Sequence, residues 1–295
     1  MRAALLALSL LNVGAATAAE GPVAALNALA RLEAVQVTEN LSYADGPRHR
    51  LDVYAPSGQG QGRPVVVFFY GGGWEAGERA MYRFVGAALA SRGFVTIIPD
   101  YRLYPEVRFP AFVEDGARAV RWARDHAAEF GGDPSRLVLI GHSAGAQIAT
   151  LLAFDDQWLA TVKMVPRRDL AGVVGLAGPY DFLPLGSAKL KKIFPEPGRG
   201  SSQPINVVTG EEPPAFLATG ANDTTVDPAN SARLAARIRQ KGGEATLIVY
   251  KKADHRLILG AFSRPLRLVA PVLDDVSGFL DRVTMHGAPP PGNAR

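Results

Sequence analysis

The sequence predicts an α/β protein in which a mostly parallel central sheet carries helices on both faces. Short apolar runs alternate with segments of helical periodicity along the 295 residues. Some runs, such as PVVVFFY at residues 64–70, are apolar at every position, which is typical of strands buried on both faces. A glycine-flanked serine in the segment GHSAG, residues 141–145, joins one such run to a helix of small residues.

The predicted elements follow one another without a long linker, so we expect a single domain over residues 20–283. An edge hairpin precedes the buried strands, and the expected strands are 35–43, 50–54, 64–70, 94–99, 137–140, 170–177, 215–219 and 244–250. The expected helices are 81–91, 112–130, 146–152, 228–242 and 269–283, and residues 20–34 are expected to form a helix or a loose arm. Residues 178–213 are rich in Gly and Pro and predict a short, loop-rich, lid-like insertion.

The two ends of the chain differ from this domain in composition. A basic start, an apolar run at residues 3–11 and the segment Ala16-Thr17-Ala18 predict a secretory signal peptide over residues 1–19. The alternatives are an ordinary N-terminal helix or a retained anchor. We therefore expect an exported protein, periplasmic or secreted. Residues 284–295 have the composition of a disordered tail.

The composition excludes several functional classes. The formal charge is +4, and it becomes +3 without the leader, whose only charged residue is Arg2. The basic residues are scattered, which favours solvated faces over a nucleic-acid surface. The absence of cysteine excludes a thiol nucleophile, disulfides and cysteine-based zinc sites. We expect no cofactor, no metal and no stable membrane insertion, and the sequence does not indicate an oligomeric state.

The segment around Ser143 predicts a nucleophile. A strand that turns into a helix within about two residues leaves no room for flanking side chains, which explains Gly141 and Gly145. The turn lifts the Ser143 hydroxyl clear of the backbone and frees the N–H of Ala144 to face a developing oxyanion. The alternative interpretation is a glycine-rich turn that only allows close packing of the helix.

A serine hydroxyl needs a base to accept its proton, and the chain has five histidines. Four are unsuited by position: His49, His126, His142 and His286. The first lies in the edge hairpin, the second on a charged helix face, and the fourth in the tail. His142 is adjacent to Ser143, but neighbouring side chains diverge on a sharp turn. His255 follows the last strand, at the sheet edge where sites assemble.

The base in turn needs a carboxylate that fixes its tautomer. Asp223 is the acidic residue nearest the end of the strand at 215–219, and we expect it to fill this role. Asp227 is the reserve, although it precedes Pro228 and is also placed to cap the next helix. Asp254 is adjacent to His255 and is expected to point elsewhere.

The oxyanion of an acyl-transfer reaction is stabilised by backbone N–H groups that can approach it closely. Gly72 and Gly73, after the strand at 64–70, are expected to supply them together with Ala144. The alternative, a phosphate cradle, lacks the rest of a G-x-x-x-x-G-K-[ST] or G-x-G-x-x-G motif.

Taken together, these motifs resemble the α/β-hydrolase superfamily, in the carboxylesterase group related to hormone-sensitive lipase and the bacterial feruloyl-esterase-like proteins. The segments that carry the resemblance are GGGW at 71–74, DYRL at 100–103, GGDP at 131–134, GHSAG at 141–145, and the surroundings of Asp223 and His255. The resemblance implies the α/β-hydrolase fold and a serine esterase with Ser143, Asp223 and His255 as the triad. One position departs: Tyr70 stands where the family usually has a histidine that helps to hold the oxyanion loop.

The leading functional hypothesis is hydrolysis of carboxylic esters through an acyl-enzyme, with a small-molecule ester as substrate. Because the insertion is short for a lid, we expect small or short-chain acyl groups. The alternatives are an amide hydrolase of the arylformamidase kind and a catalytically silent binding protein on the same fold.

Overall fold

The structure, a computed structural model, describes residues 20–58 and 60–285. The predicted signal peptide, His286 and the rest of the predicted tail from residue 286 onward lie outside the described residues. The last helix ends at Met285, two residues beyond the expected domain boundary at 283.

The described chain forms one eight-stranded sheet whose strand order is β1-β2-β4-β3-β5-β6-β7-β8. The strands are β1 (Val35–Ser42), β2 (Arg50–Pro56), β3 (Arg63–Phe69), β4 (Val95–Pro99), β5 (Gly132–His142), β6 (Gly172–Leu176), β7 (Ala215–Gly220) and β8 (Ala245–Tyr250). The predicted hairpin is confirmed as the edge: β1 pairs antiparallel with β2, and β2 pairs antiparallel with β4. Every other pair is parallel.

Ten α-helices surround this sheet in the described part of the chain. They are α1 (Glu20–Ala30), α2 (Arg83–Ala90), α3 (Ala111–His126), α4 (Ala144–Phe154), α5 (Asp156–Ala160), α6 (Pro166–Asp169), α7 (Ala188–Ile193), α8 (Ala229–Gln240), α9 (Leu257–Gly260) and α10 (Val272–Met285). Short 3-10 helices lie at Arg79–Tyr82, Ala127–Phe130, Gly200–Ser202, Pro204–Val207 and Arg264–Leu266. Helix α3 packs with α4, whereas α2 packs with α1 and α10, so helices cover both faces. No helix among the described residues combines the length and apolarity needed to cross a bilayer.

The core lies along β3 and β5, the two central strands that pair through Val66, Val67 and Phe68 of β3. These side chains are fully buried because helices cover both faces of a parallel sheet. Parallel strands also bring their carboxyl ends to one edge. The loops after β3, β5, β7 and β8 therefore meet there, and the candidate site lies among them.

The insertion, residues 178–213, contains α7 and two of the 3-10 helices. Its apolar side chains mostly fill the core: Leu185, Ile193 and Phe194 are buried, whereas Leu183 is exposed. Most of the insertion therefore packs onto the domain.

Candidate active site

Ser143 occupies the turn between β5 and α4 in a backbone conformation that few residues adopt. Its φ is 55° and its ψ is −123°, outside the regions that favour ordinary side chains. The predicted need for flanking glycines is confirmed. A Cβ on Gly145 would lie 2.1 Å from the carbonyl oxygen of Phe69, and one on Gly141 would lie 2.2 Å from that of Gly145. The sheet and helix thus hold Ser143 at the apex of a turn in which neither flanking residue has room for a side chain.

The three side chains of the predicted triad form one line of hydrogen bonds. The Ser143 hydroxyl lies 2.9 Å from Nε2 of His255. Nδ1 of His255 lies 2.8 Å from Oδ2 of Asp223. Because a carboxylate only accepts, Nδ1 carries the hydrogen, and Nε2 is left to accept the serine proton. The Asp223 side chain is fully buried and that of His255 is 13% exposed, so the line opens to solvent only at its reacting end.

Asp223 is held by its own loop. Its Oδ1 accepts hydrogen bonds of 2.9 Å from the backbone N–H groups of Thr225 and Val226, which fixes the carboxylate toward His255. The reserve candidate, Asp227, lies elsewhere: its Oδ1 accepts from the N–H of Ala229 at the start of α8, as an ordinary helix cap does. Asp254 likewise accepts from the N–H of Leu257 and not from the imidazole.

The loop that carries His255, residues 251–256, is tied to the loop that carries Asp223. The N–H of Asn222 donates to the carbonyl of Ala253 over 3.0 Å. On its other side, His142 points away from the Ser143 hydroxyl and its Nε2 lies 2.9 Å from the carbonyl oxygen of His255. Divergence of neighbouring side chains on the sharp turn explains why His142 is not the base, but no sequence pattern predicted its contact with the His255 carbonyl.

Gly72 and Gly73 lie in the loop after β3, and Ala144 is the first residue of α4, next to Ser143. Gly72 has a φ of 138°, and a Cβ there would lie 2.0 Å from the carbonyl oxygen of Ala76, so only glycine fits this turn. A Cβ on Gly71 would lie 2.9 Å from Cβ of Ser143, which places the loop against the nucleophile. Within residues 20–58 and 60–285, the N–H groups of the three residues donate to no backbone acceptor.

Tyr70, which departs from the family pattern, anchors the oxyanion loop, residues 71–78. Its hydroxyl donates to Oδ1 of Asp100 over 2.8 Å and accepts from Nη2 of Arg48 over 2.8 Å. Arg48 also donates to the carbonyl of Gly77, and the N–H of Arg79 donates to Asp100. Burial raises the pKa of Tyr70 well above its usual value, so its hydroxyl keeps the proton that it donates. These contacts fix both ends of the loop.

The DYRL segment, residues 100–103, also contacts the start of the oxyanion loop. Tyr101 donates its hydroxyl to the carbonyl of Tyr70 over 2.7 Å. Arg102 donates from its backbone and its guanidinium to the buried Asp115. Burial alone would raise the pKa of Asp115, but these hydrogen bonds outweigh burial and hold the pKa below its usual value. Asp115 also contacts His49, which accounts for that histidine as part of the scaffold.

Gln147 is a further residue that the sequence did not single out. It lies one turn after Ser143 and is fully buried. Its side chain accepts from Nε1 of Trp74 over 3.1 Å and donates to the carbonyl of Ser202 over 2.8 Å. Trp74 also stacks on Phe182 at 5.9 Å between ring centroids. The oxyanion loop is therefore joined to the insertion, and aromatic side chains fill the space between them.

His126 pairs with Glu129 on an exposed surface. The described residues contain no group of three or more His, Cys, Asp or Glu side chains arranged to hold a metal ion. The arrangement can therefore supply a nucleophile, a base oriented by a carboxylate, and backbone donors for an anion.

The fold and site together define a protein of the α/β-hydrolase class: an eight-stranded, mostly parallel sheet with a serine elbow after β5 and acid and base after β7 and β8. The chain belongs to the BD-FAE family, whose sequence pattern matches residues 51–238.

Relatives of known sequence include esterases. A probable isoprenylcysteine alpha-carbonyl methylesterase, ICMEL1, of Oryza sativa subsp. japonica is 30% identical over 75% of this chain. Esterase LipC of Mycobacterium tuberculosis is 30% identical over 67% of this chain. The chain spans only 57% and 54% of the length of these two relatives.

Solved structures share the fold over most of the chain. Esterase B of Lactobacillus rhamnosis superposes with a TM-score of 0.77 at 20% identity, covering 91% of this chain and 95% of that one. Esterase 2 of Thermogutta terrifontis gives a TM-score of 0.69 at 25% identity, covering 87% of this chain and 97% of that one. The α/β-hydrolase fold predicted from the sequence is thereby confirmed.

Proposed function

We propose that this protein is a serine hydrolase that cleaves carboxylic esters of small or short-chain acyl groups through an acyl-enzyme intermediate. The observation that carries the proposal is the line from Ser143 through His255 to Asp223, with distances of 2.9 and 2.8 Å. The names of the relatives, two of which are given above as esterases, support the same reaction class.

The first half of the reaction transfers the acyl group to the protein. His255 takes the proton of the Ser143 hydroxyl through Nε2 while the oxygen attacks the ester carbonyl carbon. The carbonyl oxygen becomes an oxyanion, which the N–H groups of Gly72, Gly73 and Ala144 stabilise. Asp223 stabilises the imidazolium. The bond to the alcohol oxygen then breaks, and His255 returns its proton to the leaving alkoxide.

The second half reverses these roles with water as the nucleophile. His255 accepts a proton from the water as it attacks the acyl carbon, and the same backbone donors stabilise the second oxyanion. The bond to Ser143 breaks, the serine oxygen regains a proton from His255, and the carboxylic acid leaves. One backbone donor of this kind contributes about 3 kcal/mol to lowering the barrier.

The size of the acyl group follows from the packing beside the oxyanion loop. Trp74 is held by Gln147 and packs against Phe182 and Phe194, at ring-centroid distances of 5.9 and 4.7 Å. Since Phe194 is fully buried and Trp74 nearly so, little of this side of the site is left for a long chain. We therefore infer small or short-chain acyl groups.

The test is hydrolysis of aryl esters of graded acyl length beside formyl-anilide substrates. We expect acetyl and butyryl esters to be cleaved faster than octanoyl esters, and Ser143→Ala to lose at least about 10³-fold in kcat. A phosphonate ester should add one covalent group to the wild type and to Ser135→Ala, a surface-serine control, but not to Ser143→Ala. A wild type that is not labelled and cleaves no ester would favour a binding protein. Preferential cleavage of the anilides would favour the amide hydrolase.

Export is part of the same proposal, on the strength of the leader sequence alone. We infer that residues 1–19 direct the chain to the periplasm or the medium and are removed there. Cell fractionation should recover the activity outside the cytoplasm. N-terminal sequencing should show a mature terminus produced by cleavage near Ala18 or Ala19. Activity that stays in the cytoplasm with Met1 retained would contradict this inference.

A further inference from the structure

His142 lies between the two loops that approach Ser143. It is the last residue of β5 and is 8% exposed. Its Nε2 lies 2.9 Å from the carbonyl oxygen of His255. On the opposite side, a Cβ on Gly71 would lie 3.0 Å from its Nδ1, so the ring also abuts the start of the oxyanion loop. One imidazole therefore contacts the segment that carries the base and the segment that leads to the oxyanion donors.

The direction of the hydrogen bond fixes the state of this ring. A backbone carbonyl only accepts, so Nε2 of His142 must carry a hydrogen. Burial, together with a smaller effect of the neighbouring His255, lowers the pKa of His142 to about 3 against the opposing effect of the hydrogen bond. His142 is therefore neutral near neutral pH, with its single ring proton on Nε2.

Neutrality matters because His255 becomes charged during the reaction. The centroids of the two rings are 4.9 Å apart. The charged group that faces His255 is Asp223, which accepts from Nδ1 of the imidazole. No cation is paired with His255 in the described contacts. A neutral donor at His142 can hold the backbone of His255 without placing a second positive charge beside the imidazolium.

Other hydrogen bonds hold the residues on either side of His255: the N–H groups of Arg256 and Leu257 donate to Oδ1 of Asp254. The loop that carries His255 is exposed at Lys251, Lys252, Asp254 and Arg256. Asp223 fixes the imidazole ring, and the bond from Asn222 to Ala253 fixes the backbone two residues earlier. The bond from His142 is the hydrogen bond that fixes the main chain of His255 itself.

We propose that His142 is a positioning residue: by donating from Nε2 to the carbonyl of His255, it sets the distance from the base to Ser143. This inference rests on the proposed ester hydrolysis. It assigns to the residue before the nucleophile a role in placing the base, with no contact to the substrate.

The experiment compares His142→Gln with His142→Met, measured as kcat and KM on the best aryl ester. The two side chains have nearly equal length and volume, but only glutamine keeps an N–H donor at about the reach of Nε2. We expect His142→Met to lower kcat by about 10- to 100-fold, since a misplacement near 1 Å can cost 10²-fold. KM should change less than about threefold, and His142→Gln should restore kcat to within about threefold of wild type.

The outcomes separate this inference from the proposed function. A wild type without esterase activity removes both. Two results with an active wild type overturn the positioning role alone. In the first, kcat is unchanged in His142→Met. In the second, His142→Met and His142→Gln melt at the same temperature and have equally lowered kcat. If His142→Met is recovered unfolded, His142→Gln decides: near wild-type kcat supports the need for a donor, and a loss beyond about tenfold overturns it.

Discussion

The oxyanion loop, residues 71–78, and the histidine loop, residues 251–256, approach the same serine but are held by different kinds of contact. Polar side chains hold the oxyanion loop at both ends, with buried Tyr70 and Asp100 joined to half-buried Arg48 in one network. Trp74 adds a further bond to Gln147. The main chain of the histidine loop accepts from two side chains, Asn222 at Lys251 and His142 at His255, and the imidazole contacts Asp223.

This difference matches what each loop has to do. In the proposed reaction, the N–H groups of Gly72, Gly73 and Ala144 must keep a fixed position while charge develops on the substrate, and a preorganised network avoids reorganisation at that moment. His255 must accept a proton, carry a charge and release the proton again. The groups that hydrogen-bond with it are the carboxylate of Asp223, the Ser143 hydroxyl and neutral His142. Variants on the two sides should consequently differ in which kinetic constant they change and by how much.

The largest effect is expected on the histidine side, at the carboxylate. Asp223→Asn removes the group that fixes the tautomer of His255, and kcat should fall by about 10³- to 10⁴-fold. Asp227→Asn is the matched control, because Asp227 caps α8 and is 64% exposed in its side chain. Steady-state kinetics on an aryl ester should leave the control within about twofold of wild type. Equal losses in the two variants would mean that the acid is assigned to the wrong residue.

On the oxyanion side we expect a smaller loss from Tyr70→Phe. The ring and its stacking remain, but Asp100 and Arg48 lose the hydroxyl that lies between them. Because Arg79 still binds Asp100, the loop should loosen without unfolding, and kcat should fall about 3- to 30-fold. Tyr250→Phe is the control, since it also removes a hydroxyl bonded to a carboxylate, that of Asp275.

Both tyrosine variants should lose about 1–2 kcal/mol of the free energy of unfolding in urea titrations, because each removes a hydrogen bond to a charged group. Only Tyr70→Phe should change kcat. A Tyr250→Phe enzyme with the same kinetic defect would show that the loss reflects general destabilisation and not the position of the loop.

The site residues that lie just beyond the ends of strands could be predicted from the sequence. Ser143, Asp223 and His255 follow the ends of the predicted strands at 137–140, 215–219 and 244–250, and parallel strands bring their ends to one edge. The need for glycine at positions 141 and 145 was also predictable, because a side chain there would clash within the sharp turn itself.

Contacts between distant segments were not accessible. The bond from His142 to His255 spans 113 positions, and that from Trp74 to Gln147 spans 73. Neither leaves a local pattern. For the same reason the start of β5 was missed: GGDP reads as a stop, yet Gly132 pairs with Arg63 before the register shifts at Val65. Helices α5, α6 and α9 are too short to show a period.

The neutral state of His142 predicts a pH dependence of stability. The pKa of His142 is about 3 in the folded protein, against about 6.5 for an unfolded histidine. Between these values the unfolded chain binds a proton that the folded one does not, so stability falls as pH falls, by at most about 1.4 kcal/mol per pH unit. His142→Gln lacks this linkage and should lose less stability than wild type between about pH 6.5 and 4.5 in urea titrations.

The lowered pKa of Asp115 does not disturb this comparison, because its effect lies below its ordinary value of 3.8. The free energy of unfolding of wild type should therefore approach that of His142→Gln as the pH is lowered through this window. Parallel curves for the two proteins would show that His142 charges freely in the folded state, and they would also remove the electrostatic reason for its role beside His255.

The smallest effect is expected where the oxyanion loop meets the insertion at the surface. Lys189 pairs with Glu75 at 3.0 Å, but their side chains are 59% and 37% exposed. Exposed pairs contribute about 0–1 kcal/mol, and the same two segments are already joined through buried Gln147. Lys189→Met should thus change the free energy of unfolding by less than about 0.5 kcal/mol and kcat by less than about twofold. A clear rise in the rate on long-chain esters would instead show that this pair restricts entry to the site, and that the buried contacts alone do not hold the insertion in place.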